Sequence, residues 1–168
     1  MDHFAKPDDP LSIALRNGTL HRNFQGYTTH SETDLVSFGV SAISHVGDVF
    51  TQNQRELPLY QANIREGRLP IIRGYRLTDD DRIRGTVIEN ILCHGYVPKA
   101  HIERQFNIVF DEYFAAELLR LGEFEEDGLV SRIHSRVFEV TPVGRLYIRT
   151  IAQTFDAFQA APVASRAI

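Results

Sequence analysis

The run from Thr78 to Pro98 constrains the fold most strongly. Thr78 is a good N-cap, because its hydroxyl can take a free amide of the first helical turn. Asp79, Asp80 and Asp81 follow, and negative charge is favoured at that end of a helix. Ile83, Val87, Ile91 and Leu92 then recur at helical spacing, and the stripe runs on through Cys93. Gly95 can stop the helix and Pro98 cannot extend it. A helix with both ends written into the sequence has one stripe to bury, and the rest of the chain must supply the cover.

Downstream, Lys99–Gln105 and Asp111–Leu121 read as two more helices, the second with Phe114, Leu118 and Leu121 on one side. Leu129–Ile133 and Val137–Val140 read as a β-hairpin around His134-Ser135-Arg136. Thr141-Pro142 gives N-cap and N1 of a last helix whose buried face would be Val143, Tyr147, Ile151, Phe155 and Phe158. The tail from Pro162 is small and expected to be loose. Three helices, a hairpin and a helix make a winged-helix-like order. The third helix, from Asp111, is acidic with Arg120 its only base, which suits neither phosphates nor base edges. A net charge of −4 also argues against a general nucleic-acid or anionic-membrane binder.

Upstream, Met1–Ala5 reads as the end of a strand. Asp8 or Asp9 can cap a helix with Pro10 in its first turn, with Leu11, Ala14 and Leu15 on one face and Asn17-Gly18 at its end. Such a βαβ-like fragment cannot close a sheet alone. Leu20–Thr29 reads as irregular or extended. Leu35–Ser44 alternates as a strand, with Phe38, Val40 and Ala42 on one face and Gly39, Ser41 and Ile43 on the other. His45–Arg55 is a polar connection turning at Gly47-Asp48. Gln54–Arg65 is a helix ended by Gly67, and Arg68–Arg76 an extended link. The expected units are 1–67 and 68–168, and the class is α+β.

The chemistry concentrates in Arg22–Ser44, RNFQGYTTHSETDLVSFGVSAIS. Phe24 and Tyr27 can pack on a flat ring. Gln25 can donate and accept at once. Gly26 lets the backbone approach, and Ile43 offers an apolar contact beside small residues. Either a planar ligand or a closely packed helix would suit that small face. The other candidates are weaker. The seven histidines form neither HxH nor HExxH, so zinc would need His94 and His101 to meet by tertiary accident. Asp79–Asp81 and the run Glu123, Glu125, Glu126, Asp127 read as a capped helix start and a solvated turn. Cys93 reads as a buried structural cysteine. As the only cysteine it permits no intrachain disulfide and no cluster held by this chain alone, which fits a reducing cytoplasm. No signal-peptide pattern and no bilayer-length apolar run is present. No catalytic residue and no metal ligand is assigned.

RNFQGYTT, DLVSFGVSAIS and QNQRELPLY, with MDHFAKPDDPL before them and LTDDDRIRGTVIENILC, DGLV and VTPVGRLYIRTI after them, closely resemble the oxygen-independent coproporphyrinogen III oxidases. That family consists of radical S-adenosylmethionine enzymes of haem biosynthesis. The resemblance implies an oxidative decarboxylation of two propionates of coproporphyrinogen III to vinyls, giving protoporphyrinogen IX. It implies a [4Fe–4S] cluster that reduces S-adenosylmethionine to a radical that abstracts hydrogen from the propionate. It implies cofactor contacts at Phe24, Gln25 and Ile43. Arg22, at the head of the block, is expected to face a carboxylate of a substrate that carries four. The family's Cys-x3-Cys-x2-Cys motif is absent. The chain is therefore expected to hold the last β/α elements of a TIM-like partial barrel and the whole winged-helix-like C-terminal domain, to need the N-terminal radical barrel as partner, to be monomeric, and to be inactive alone. The alternative is a stand-alone porphyrin- or haem-binding module with His or Tyr axial ligands.

Overall fold

The computed structural model describes residues 4–23, 25–31 and 33–158. Helix α1 (Pro10–Asn17) leads into a hairpin of β1 (His21–Asn23) and β2 (Gly26–Thr28). Strands β3 (Ile43–Val46), β4 (Val49–Asn53) and β5 (Ile71–Arg76) form an antiparallel sheet in that order, with α2 (Leu57–Arg65) between the last two. Helix α3 (Asp79–His94), β6 (Tyr96–Pro98), α4 (Lys99–Phe106), α5 (Phe110–Tyr113) and α6 (Ala115–Glu126) follow. Strands β7 (Val130–Ser131) and β8 (Val137–Val140), a 3₁₀ turn (Gly144–Tyr147) and α7 (Ile148–Gln153) complete the chain. Among the described residues no helix is long and apolar enough to cross a membrane.

Helix α3 starts and stops where its sequence says. The Thr78 hydroxyl accepts from the Asp81 amide (3.2 Å), and the Asp81 carboxylate accepts from the Thr78 amide (2.8 Å), a reciprocal capping box. Asp80 accepts from Arg84 (2.8 Å) and from the Tyr113 hydroxyl (2.6 Å), so the first-turn acids also anchor neighbours. Gly95, at φ 76°, returns its amide to the carbonyls of Asn90 and Ile91. Ile83, Val87 and Ile91 enter one core with Ile102, Phe110, Phe114, Phe138 and Phe155. Each such side chain contributes about 1.5–3 kcal/mol when fully buried. Arg84 spans the top of this core, donating to Glu117 (2.9 Å) and to the Phe155 carbonyl (3.2 Å). Buried Lys99 donates to Asp111 and to the Ile133 carbonyl (2.5 Å each), which fixes the β7–β8 connection to α4.

Several expected elements differ. Leu35–Ser44 is not a strand: Leu35 makes an isolated bridge to His45, and pairing resumes only at Ile43. Gly39 (φ 106°) and Ser41 (φ 57°) turn the chain between them. There the Gly39 amide donates to the Tyr60 hydroxyl and its carbonyl accepts from Asn53. His45–Arg55 is not a connection but most of β3–β4, a hairpin that turns at Gly47-Asp48 as expected. Helix α2 begins three residues later than expected, because Gln54 still donates to the Pro70 carbonyl. The link 68–76 contains strand β5, which pairs with β4. Leu20–Thr29 contains the β1–β2 hairpin. The expected helix over 111–121 breaks at Phe114 (φ −106°, ψ 28°) into α5 and α6.

The β7–β8 hairpin forms, with β6 as an additional strand on β8. Thr141 caps the last turn by accepting the Gly144 amide (3.0 Å), but the turn is 3₁₀. Its tighter winding shifts the phase, so Ile151 and Phe155 are buried while Val143, Tyr147 and Phe158 are exposed. Phe4 and Ala5 are not in a strand. Met1–His3 and the tail from Pro162 lie outside the described residues.

Burial is uneven. Among the described residues of 35–76 only Asn53 and Pro70 are buried. Phe38 is 87% and Leu69 78% exposed there. The β3–β4–β5 sheet thus has backbone pairing without a core of its own.

Gly144 is the tightest glycine: a β-carbon there would stand 1.8 Å from the Leu129 carbonyl oxygen. Gly144→Ala is expected to cost at least about 3 kcal/mol in urea unfolding. Gly85→Ala, in α3 with nothing within 4 Å of the new methyl, is expected to gain about 0.5–1 kcal/mol. Equal effects of the two would contradict the packing described.

Candidate functional site

Helix α3 carries a second contact face besides its core stripe. The Glu89 carboxylate accepts from the Arg22 amide (3.2 Å) and meets the His21 ring at Nδ1 (3.1 Å). One turn on, the Leu92 carbonyl accepts from the Tyr27 hydroxyl (3.3 Å). Cys93 packs with Ala14 and Leu20, against Leu11 and Tyr27. These contacts hold the RNFQGYTT hairpin on the helix. Its register pairs His21 with Thr28, Arg22 with Tyr27 and Asn23 with Gly26, with Gln25 in the turn between the strands. Gly26, at φ 128°, occupies backbone space that favours glycine. The Arg22 guanidinium lies 5.3 Å from the Tyr27 ring centre. Gln25 is exposed, its amide held by the Asn23 side chain (2.8 Å). Phe24 lies outside the described residues.

Beneath the hairpin is a cleft of ≈310 Å³ lined by Leu11, Ser12, Leu20, Tyr27, Cys93 and Arg145. Burial, with Glu89 adding to it, pushes the Cys93 thiol up to about 12. A thiol so held is neither a nucleophile nor a ready metal ligand near neutral pH. Burial lowers the pKa of His94, against Glu89 that raises it and with His21 that lowers it further. Its Nδ1 is buried without a hydrogen-bond partner. His101, on α4, is exposed. Among the described residues no group of three or more His, Cys, Asp or Glu is placed to hold a metal ion.

Ile43 belongs to the other sheet. Its cross-strand partner is Gln52, whose partner in turn is Arg73; the next row on the same face, two residues along, is His45, Phe50 and Tyr75. A concavity of ≈360 Å³ is lined by Ile43, Phe50, Gln52, Arg73 and Tyr75 among others. The Tyr75 hydroxyl donates to Asp81 (2.7 Å), tying this sheet to the start of α3. Ile43 therefore stands on one sheet and Gln25 in the turn of a separate hairpin, and Arg22 and Tyr27 are the members of the expected wall that meet among the described residues. Nothing lies within 4 Å of where a Gly39 β-carbon would stand, so that glycine serves its φ rather than a packed helix. The contacts of Glu89, Gln52 and Arg73 were not legible in the sequence. Each acts through a partner more than twenty positions away, or across a sheet register that no local pattern encodes.

With this geometry in view, residues 77–147 match the HemN C-terminal domain family. The oxygen-independent coproporphyrinogen III oxidase of Escherichia coli (strain K12) is 48% identical over 158 residues, 94% of this chain and 34% of that protein. Its counterpart from Synechocystis is 46% identical over 162 residues, again 94% of this chain and 34% of that protein. Among solved structures, Escherichia coli coproporphyrinogen III oxidase (HemN), titled a radical SAM enzyme, matches with a TM-score of 0.90. That match has 47% identity over 94% of this chain and 36% of the other. The chain thus spans about a third of the length of these relatives.

Because His94 is held neutral in the folded state, the unfolded chain takes up its proton first as pH falls. Its contribution is complete above the ordinary histidine value of 6.5 and is lost as pH drops from there through the lowered folded value. Urea midpoints at pH 7.5 and 5.5 should therefore fall more for the wild type than for His94→Gln. Parallel falls would contradict the burial described.

Proposed function

We infer the function from one premise: the chain is homologous to the C-terminal part of the oxygen-independent coproporphyrinogen III oxidases, and its residues 77–147 belong to the HemN C-terminal domain family. The proposal is that it serves as that part of an enzyme converting two propionates of coproporphyrinogen III to vinyls in haem biosynthesis. The observation that carries it is 47% identity at a TM-score of 0.90 across 94% of the chain to the Escherichia coli coproporphyrinogen III oxidase, a radical SAM enzyme.

Within this reading, residues 1–67 are the last β/α elements of a TIM-like barrel with the cofactor wall. Residues 68–168 are the winged-helix-like domain, and β5 continues the sheet of the first unit. The bare sheet supports a covering partner, since 35–76 expose apolar residues that a barrel would bury. An iron–sulfur cluster does not fit the residues present: the one cysteine is buried, with its thiol pushed up to about 12. The cluster is assigned to the partner. S-adenosylmethionine fits better. Phe24, Gln25 and Ile43 would hold it, Gln25 by its exposed side-chain amide and Ile43 by apolar contact. Bound there, it supplies the hydrogen-abstracting chemistry. Arg22 is assigned to a substrate propionate. Among the described residues its guanidinium faces a ring and pairs with no carboxylate. A single cysteine and the absence of a basic surplus suit a cytoplasmic monomer that binds no nucleic acid.

The test is a chimera in which this chain replaces the matched 34% of the Escherichia coli enzyme. The chimera is expected to convert coproporphyrinogen III anaerobically, while this chain alone carries no cluster and shows no turnover. A folded, cluster-loaded chimera without activity would refute the proposal.

A further inference from the structure

The Ile43 face carries a feature that the family assignment does not use. Gln52 donates from Nε2 to the Ser41 carbonyl (3.1 Å) and accepts at Oε1 from Arg73 Nε (2.8 Å). Both halves of the amide are thereby committed. Ser41 sits at φ 57°, two residues before Ile43, so the relay starts in the turn that delivers Ile43 to its strand. Arg73 ends the relay in the same cross-strand row as Ile43 and Gln52. With Nε–H engaged, both Nη groups of the guanidinium remain as donors.

Among the described residues no Asp or Glu lies within ion-pair distance of Arg73. Most of the chain's arginines that are held by a side chain are held by an acid, as Arg84 and Arg132 are. An arginine held by a neutral amide keeps its full charge available. Ile43, Phe50 and Tyr75 line the same concavity, so a ligand lying there would exclude water around that charge and strengthen its pairing. The geometry is a fixed cation beside an apolar and aromatic floor.

We propose that Arg73, oriented by Gln52, binds a carboxylate of the molecule that lies against Ile43. This rests on the reading that Ile43 faces the cofactor. The carboxylate has two possible sources, the methionyl end of S-adenosylmethionine or a propionate of the tetrapyrrole. Arg73 is a binding residue on either source.

The test uses the cluster-loaded chimera and reads equilibrium binding rather than turnover, with S-adenosylmethionine and coproporphyrin III as separate probes. Arg73→Gln is expected to weaken one probe by about tenfold or more while the unfolding midpoint stays in place. Loss confined to S-adenosylmethionine assigns the methionyl carboxylate, and loss confined to the porphyrin assigns a propionate. Arg73→Lys should recover only part of the loss, because an ammonium lacks the Nε–H and the fork. Gln52→Ala, which leaves Arg73 present but unaimed, should weaken the same probe less and provides the reading if Arg73→Gln does not fold. If both probes bind Arg73→Gln normally while Ile43→Asp weakens S-adenosylmethionine, the carboxylate site is overturned and the Ile43 reading survives. If neither substitution alters either probe, or the unsubstituted chimera binds neither, both are overturned. Equal weakening of both probes with a lowered midpoint would make Arg73 merely structural and would also overturn the proposal.

Discussion

Everything upstream of residue 78 depends on helix α3 being used on two sides. One side gives Ile83, Val87 and Ile91 to the aromatic core. The other gives Glu89, the Leu92 carbonyl and Cys93 to the hairpin and to α1. A helix that carried only the core stripe would leave the N-terminal segment attached through contacts such as Tyr75–Asp81 and Tyr75–Phe158. Glu89 is the least replaceable of these groups. It accepts from the backbone amide of Arg22 and meets the His21 ring beside it. A charge-assisted acceptor of this kind is about twice as strong as a neutral one.

This arrangement divides the chemistry cleanly. The chain offers donors, an apolar floor and fixed cations, which are means of recognition. It offers no cluster ligand, because its one thiol is buried against α1 and held protonated. The surfaces proposed for recognition are on the thinly buried sheet and on the hairpin, both fastened to the well-packed domain through α3. Preorganisation at such a site comes from the domain behind it, since the sheet has no core to make it rigid.

The sequence was readable wherever structure is local. Asp9 caps α1 and Gly18 ends it at φ 69°, as their types suggest. The Thr78 N-cap of α3 and the hairpin from 130 to 140 were likewise legible. The failures are where neighbours in space decide. The alternation of 35–44 mimics a strand, but Gly39 and Ser41 take positive φ to meet Tyr60 and Gln54. Strand β6 is three residues long and exists only because β8 lies beside it. A helical period was drawn through 143–158, where a 3₁₀ turn resets the phase. At the site, Gln25 and Ile43 were reached through side-chain chemistry and family resemblance. Arg73 and Gln52 were hidden in segments that read as linkers, because cross-strand register is a non-local property.

The central claim is that Glu89 fastens the hairpin to the domain, and amide hydrogen exchange of Glu89→Ala tests it most directly. Protection at Arg22 and Tyr27 is expected to fall about tenfold relative to wild type, while α3 and the β6–β8 sheet keep theirs. Unchanged protection in the hairpin, or equal loss in hairpin and core, would contradict it.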